Sequence, residues 1–596
     1  MAQSRHDRKP LRLRVFGLAA MSRAGPGGLR GDTDLPLRTL SPALIAAALL
    51  AGCATAGDKP KAPAYSGPPI SLATLTTATQ ILSSDDYEGR APTTAGEEKS
   101  VRFIAEGFRK AGLQPGNGGS WFQNVPLVET LAAPGAMTIS GGAAPLTLRY
   151  RTDFVANSYQ VQPRIDLQNS EMVFVGYGIN APERGWNDYA GVDVRGKTVV
   201  ILVNDPDWQN SGLEGTFGGK AMTYYGRWTY KYEEAARQGA AGALIVHDTE
   251  PAAYGWNVVQ SSWTGPQYNM DDPAGHMDQS KVIGWLTNDA AKRVFAASGQ
   301  DLAALSAAAK RPGFKAVPLK TRASISLTNQ IKRQASKNVI GILPGAKRPN
   351  EYVIYTAHWD HLGRCDADAS GDDICNGALD NATGTAGLIA LAEAHAKRGN
   401  PDRSIVFVAV TGEESGLLGS KFYAENPVYP LAQTVGGVNM DGLNVTGNTR
   451  DFVVIGKGKS EIEDYMVRAT DLYGLTVKNE PTPQAGYYYR SDHFSLAREG
   501  VPMLYAEGGE DLVEGGTAAG AAAAEDYRRN RYHQPSDEYD PNWNWDGAIR
   551  DLQIYWTIGR ELAMSTAWPN WRQGDEFRAV RDRSRAAAGT GAAGAR

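Results

Sequence analysis

Residues 357–363, AHWDHLG, place two histidines and an aspartate within four residues, directly after EYVIYT, a run that reads as a buried strand. The His-x-x-His spacing alone leaves two readings, a metal corner or a polar loop ending a strand. Other acids sit in comparable places. SIVFVAVTG runs into Glu413 and Glu414, GGVNM runs into Asp441, and NGALDNATG puts Asp380 just before a helical pattern. One imidazole and four carboxylates brought together would be prohibitive to bury unless cations were present, because like charges and desolvation both penalise the ionised forms. With a second imidazole the donor set suits zinc and leaves positions open for water. A water between two such ions ionises near neutral pH and supplies a nucleophile. The adjacent pair Glu413 and Glu414 allows two roles, since neighbouring side chains in an extended turn point apart. One can hold metal while the other takes the water's proton and passes it to a leaving amine.

Something must bring these positions to one place. From Asn338 onward the chain alternates strand-like runs (NVIGILPG, EYVIYTAH, SIVFVAV, GGVNMD) with helical ones (TGTAGLIALAEAHAKRG, GLLGSKFYAENP). That alternation predicts an α/β fold with a mainly parallel or mixed sheet covered by helices, with the site at the carboxyl ends of its strands. Upstream, Thr94 and Glu97 form a capping box before Val101, Ile104, Ala105 and Phe108 at helical spacing, closed by Gly112. From 160 to 325 the texture changes to short strands and turns, a compact β-rich α/β insert. It lacks clustered His, Cys and acids, which favours a structural or substrate-shaping role.

The 596 residues exceed what one core usually supports, so more than one domain is expected. A net charge of -4 and a pI near 6.1 give no basic footprint for nucleic acid. No apolar run reaches the roughly 18 residues needed to span a bilayer. Residues 1–53 read as an export signal: Arg38, an apolar core from Ala43 to Leu50, then small residues before Cys53. Leu50 to Cys53 resembles a bacterial lipobox, in which the cysteine is acylated. That implies a cell-envelope protein lipid-anchored to the membrane through Cys53 and facing the periplasm or exterior; a generic cleaved signal is the alternative. The Arg-rich stretch before residue 35 allows translation to begin near Met21. Residues 54–70 read as a flexible tether and 576–596 as a disordered tail. Cys365 and Cys375 bracket RCDADASGDDIC, either as a disulfide stiffening a loop or as two free thiols.

AHWDHLG, NGALDNATGTAG, VAVTGEESGLLGS, NMDG, SDHFSLAREGVP and YHQPSDEYD, in that order, resemble the M28 family of co-catalytic zinc peptidases. The resemblance implies a peptidase domain over 71–159 and 326–575, two Zn²⁺ and peptide or protein substrates. Carried over residue by residue, it makes His358, Asp441, Glu414 and His533 ligands, Asp380 the bridging ligand, Glu413 the general base and Asp360 the acid that orients His358. The 160–325 insert resembles a protease-associated domain. The implied activity is that of an exopeptidase, an aminopeptidase above all, working through a metal-bound hydroxide. Carboxypeptidase or glutaminyl-cyclase-like chemistry on the same centre, and a binding protein that kept the fold, are the alternatives.

Remaining polar residues have competing readings. His361 reads as loop packing rather than as a second ligand of its His-x-x-His. His493 and Asp492 either line the pocket or hold structure. Tyr532 either donates to a developing oxyanion or packs. His247 reads as a strand-end residue. The cysteine-bracketed loop and the Ala- and Gly-rich stretch before His533, expected to be mobile, both read as rims of the site.

Overall fold

The strand Arg348–His358 divides its alternate side chains between two cores. Val353, Tyr355 and Ala357 join the cluster under helices Thr383–Arg398 and Asp546–Met564. Tyr352 and Ile354 face the opposite cluster, built with helices Leu418–Glu425 and His493–Arg498. Strands Arg403–Val410 and Thr434–Met440 flank it in parallel, and Met503–Gly508 extends the parallel run. The end of the strand Val317–Leu343 closes the other edge, antiparallel to Arg403–Val410. Both faces are covered, which is why these strands read as unbroken apolar runs.

One crossover leaves Arg348–His358 and the next leaves Arg403–Val410, running back past it in the opposite direction. Helix Thr383–Arg398 leads to Arg403–Val410, and helix Leu418–Glu425, in the other core, leads on to Thr434–Met440. The sheet therefore has a topological switch beside this strand, and a crevice opens outside its carboxyl end. Register keeps the three strand ends level: Ala357 pairs with Ala409 on one side and Met440 on the other.

This computed structural model describes residues 68–593. The signal read over 1–53, Cys53 included, and most of the tether over 54–70 lie outside the described residues. Among the described residues, no helix is long and apolar enough to cross a membrane. The helix Ala95–Ala111 starts at Thr94, whose hydroxyl accepts from the Glu97 amide at 3.3 Å, and ends at Gly112 with φ 92°.

The insert has its own core on the parallel strands Arg164–Phe174, Thr198–Leu202, Gly242–Val246 and Val282–Leu286. Its limits differ from 160–325. Met137, Ile139, Leu148 and Phe154 belong to this core, and Phe154–Asn157 pairs with Val282–Leu286. At the other limit, Val317–Leu343 passes through 325 without interruption, pairing first with Arg164–Phe174 and then with Phe122–Pro134. A strand shared by two cores has no loop composition to mark a boundary.

Two expectations of disorder or mobility are corrected. Within the 576–596 tail, Arg578–Ala593 is helical. Arg581 is 2% exposed and donates to the carbonyls of Thr434 and Val435, while the Arg585 guanidinium lies 3.4 Å from the Trp568 ring centroid. Docking runs through buried Phe577 and these arginines, and an apolar count does not register the arginines. The Ala-rich stretch before His533 is the helix Gly516–Asn530, as the high helix propensity of alanine favours. Cys365 and Cys375 form a disulfide, and Asp366 in that loop pairs with Arg151.

Candidate metal centre

His358 ends its strand, Asp441 follows Met440, and Glu413 and Glu414 follow the strand ending at Val410, so the level strand ends converge these side chains. Asp380 arrives from the turn before helix Thr383–Arg398, and His533 from the segment after helix Gly516–Asn530. His358 Nε2 lies 3.2 Å from Asp441 Oδ1 and 3.3 Å from Asp380 Oδ1. His533 Nε2 lies 3.0 Å from Glu414 Oε2 and 3.6 Å from Asp380 Oδ2. Asp380 thus turns one oxygen to each imidazole, between two half-sites of one histidine and one acid.

The arrangement fits a pair of divalent cations. Three acids are gathered with no lysine or arginine ion-paired to any of them among the described residues, and His533 Nε2, buried, has no hydrogen-bond partner. Nitrogen and carboxylate donors are the set zinc takes. The electrostatics agree. Burial opposes charge on both imidazoles, yet Glu413, Asp380 and Asp441 hold His358 well above its ordinary value, and Glu414 and Asp380 push His533 up to about 10. Against the same burial, His533 holds Glu414 down to about 2, and the two histidines hold Asp380 well below the carboxylate range. The site demands positive charge.

Glu413 differs from its neighbour. Its side chain makes no hydrogen bond or ion pair, and burial with Asp441 and Glu414 raises it well above the usual carboxylate range. It lines both cavities that meet at the centre. A carboxylate that readily takes a proton, open to substrate, suits a general base. Asp360 accepts the Glu413 amide at 3.2 Å, and its carboxylate is 3.9 Å from His358 Nδ1. The nearer partner of that nitrogen is the Asp360 main-chain carbonyl at 3.2 Å. Tyr532 stacks on His533, ring centroids 4.0 Å apart, and its hydroxyl accepts from Arg490 at 3.1 Å.

Other readings change. His361 Nδ1 lies 2.5 Å from Glu414 Oε1, so it is a partner of a ligand-set acid rather than plain loop packing. His493 is fully buried between Tyr488 and Tyr505, lines neither cavity and makes no hydrogen bond. Asp492 is likewise buried and unpartnered. His247 directly follows the strand Gly242–Val246, as its strand-end reading had it, and bonds to the Tyr254 carbonyl at 3.0 Å.

Sequence reasoning missed the scaffold. Asp537, in the same YHQPSDEYD as His533, accepts the amides of Leu379 and Asp380 at 3.0 and 3.1 Å and the Tyr527 hydroxyl. Arg90, fully buried, donates to the carbonyls of Leu82, Trp359, Asn376 and Gly377, tying the turn after His358 to the turn before Asp380. Gly377 adopts φ 53°, and a Cβ there would stand 2.2 Å from the Asp380 carbonyl. Ser262 of the insert reaches His533 Nδ1 at 2.9 Å. Its only sequence signal would have been its place in the insert.

Residues 338–557 match the model of peptidase family M28. They form a peptidase family M28 domain. Aminopeptidase NAALADL1 of Mus musculus is 33% identical over 139 residues, 22% of this chain and 17% of that one. Its Rattus norvegicus counterpart is 33% identical over 225 residues, 33% of this chain and 28% of that one. A probable zinc metalloprotease of Pyrenophora teres f. teres is 33% identical over 114 residues, 19% and 23% of the two chains. The chain thus spans less than a third of the length of these relatives. Among solved structures, an aminopeptidase from Aneurinibacillus sp. strain AM-1 has a TM-score of 0.47 at 19% identity, covering 85% of this chain and 95% of that one. All six members of the centre lie inside the M28 domain, whereas Arg90 and Ser262 lie outside it.

Proposed function

We propose that the protein is a zinc-dependent exopeptidase that removes N-terminal residues from peptides. The observation that carries this reading is Asp380 set between His358 and His533, each with its own acid, Asp441 and Glu414. Two bound Zn²⁺ held by these five residues would polarise a scissile carbonyl and acidify water. Glu413 takes the proton of the attacking water and delivers it to the leaving nitrogen. Asp360 fixes the Glu413 backbone and steadies His358. Tyr532, whose oxygen already accepts from Arg490, has its own proton to donate to the carbonyl oxygen as charge develops there.

Preference for a free amino terminus is supported by the larger cavity, of ≈ 480 Å³, which adjoins Asp380 and Asp441. Glu480, Glu507 and Glu510 line it without an ion pair among the described residues. Burial pushes Glu480 up to about 7, and burial with Asp551 and Asp441 pushes Glu507 up to about 8. An ammonium group would relieve that strain. The protease-associated-like insert shapes the cavities, and the lipid anchor at Cys53 places the enzyme in the cell envelope. Acyl labelling that persists in Cys53→Ser would refute the anchor.

The test is metal analysis with turnover. The purified chain should hold two zinc ions and cleave free-amino peptides but not N-acetylated ones. Glu413→Gln should retain the metal and lose turnover by at least about 10²-fold. Equal cleavage of blocked peptides would sink the aminopeptidase reading.

A further inference from the structure

The second cavity at the centre, of ≈ 270 Å³, carries both signs of charge on its wall. It touches Glu413, Glu414, Tyr532 and His533, and its wall includes Arg227 from the insert and Arg490 from the M28 domain, which stands between the two cavities and lines both. Arg227 is 7% exposed, and among the described residues its side chain makes no hydrogen bond and no ion pair; its Nε is buried without a partner there. Its guanidinium rests on the Trp228 ring, 5.9 Å from the centroid. Burial and the charge of Arg490 together push it down to about 10. Among the described residues Arg490 has no acid partner either: it donates to the Tyr532 hydroxyl and the Ala485 carbonyl and lies over Tyr254 and Tyr487.

Two guanidinium groups within electrostatic reach of each other, one almost wholly buried and neither neutralised, are costly in the protein alone. Planar guanidinium forks match carboxylates bidentately, and such a partner would repay the desolvation. We infer that Arg227 and Arg490 bind a carboxylate of the substrate on the leaving-group side of the centre. This deepens the peptidase reading and rests on it. The cavity at Glu480 and Glu507 then takes the amino end and the cavity at Arg227 the anionic end, so the substrate class is short peptides, dipeptides above all, with a free C-terminus. An acidic side chain in the leaving residue offers the same chemistry.

Three probes separate the sources: leucyl-glycine, leucyl-glycine amide, and leucyl-aspartic acid α-amide. Their binding is measured calorimetrically on zinc-loaded Glu413→Gln, and their cleavage on the unsubstituted protein. Leucyl-glycine should bind at least about tenfold tighter than its amide. If the aspartyl amide gains as much, the side-chain source is also read; if it gains nothing, the terminal carboxylate alone is. Adding Arg227→Gln should bring the acid-to-amide binding ratio close to one, while Arg227→Lys keeps most of it. Arg490→Gln reads the same ratio should the first variant fail to fold. Equal binding of acid and amide, or a ratio unmoved by Arg227→Gln, overturns the inference. Discriminating binding with no cleavage of any probe upholds the carboxylate site and overturns the peptidase reading instead.

Discussion

Ser262 Oγ and His533 Nδ1 lie 2.9 Å apart, so a side chain of the insert fixes the ring of an imidazole that belongs to the M28 domain. The hydrogen bond leaves Nε2 as the nitrogen facing Asp380 and Glu414. Ser262→Ala removes the partner without disturbing a core. Zinc affinity should fall by about 10–100-fold, as for other outer partners of metal-binding histidines. Competition with a chromophoric chelator measures it; an unchanged affinity would remove Ser262 from the centre's support.

Tyr532→Phe keeps the stacking on His533 and deletes only the hydroxyl. If that hydroxyl meets developing negative charge, kcat should drop by about 10²–10³-fold with little change in KM. A KM effect alone would make Tyr532 a binding residue.

Arg90→Met leaves four main-chain carbonyls without their donor in a fully buried place. Stability should fall by at least ~3 kcal/mol, read by chemical denaturation. The bound metal should weaken as well, because the turns carrying His358 and Asp380 lose their common tie. A loss of stability with metal affinity intact would confine Arg90 to the fold.

Burial holds two histidines neutral. His395, which stacks on Trp556 and meets the Tyr355 hydroxyl at 3.0 Å, is held well below 6.5, and His493 falls to about 3. On acidification the unfolded chain takes up these protons first. Stability from this source is therefore full above pH 6.5 and is lost as pH falls toward about 3. The slope is about 1.4 kcal/mol per pH unit per histidine. Denaturation at pH 7.5 and 5.5 should show it, and His395→Phe should shrink the difference; an identical difference would place the acid sensitivity elsewhere.

Much of this site could be read from the chain because strand ends advertise themselves. An apolar run that stops at His358, before Glu413 or before Asp441 marks both the element and the polar group at its mouth. Asp380 was visible as an acid preceding a helix. His533 was not: no strand leads into it, and only resemblance to a family named it. Arg90 and Asp537 act on main-chain carbonyls and amides hundreds of residues away or across a turn, which no side-chain pattern announces. Arg227 and Ser262 belong to a different core and meet the centre only through tertiary closure. The insert's start near 137 and the helical tail were misplaced because the first shares a sheet with its neighbour and the second docks through Phe577 and two arginines, a single apolar residue being too little to announce packing.

The unbroken strand Val317–Leu343 also limits how the protein can be taken apart or opened. Its ladder with Phe122–Pro134 runs in step from Leu327 with Pro134 to Val339 with Phe122. Any swing of the insert away from the M28 domain would have to bend that ladder. Access to the buried centre falls to the rim. Excising the insert as a cassette would strip an edge from the remaining sheet, and the chain is better regarded as a single machine part than as an M28 domain wearing an accessory.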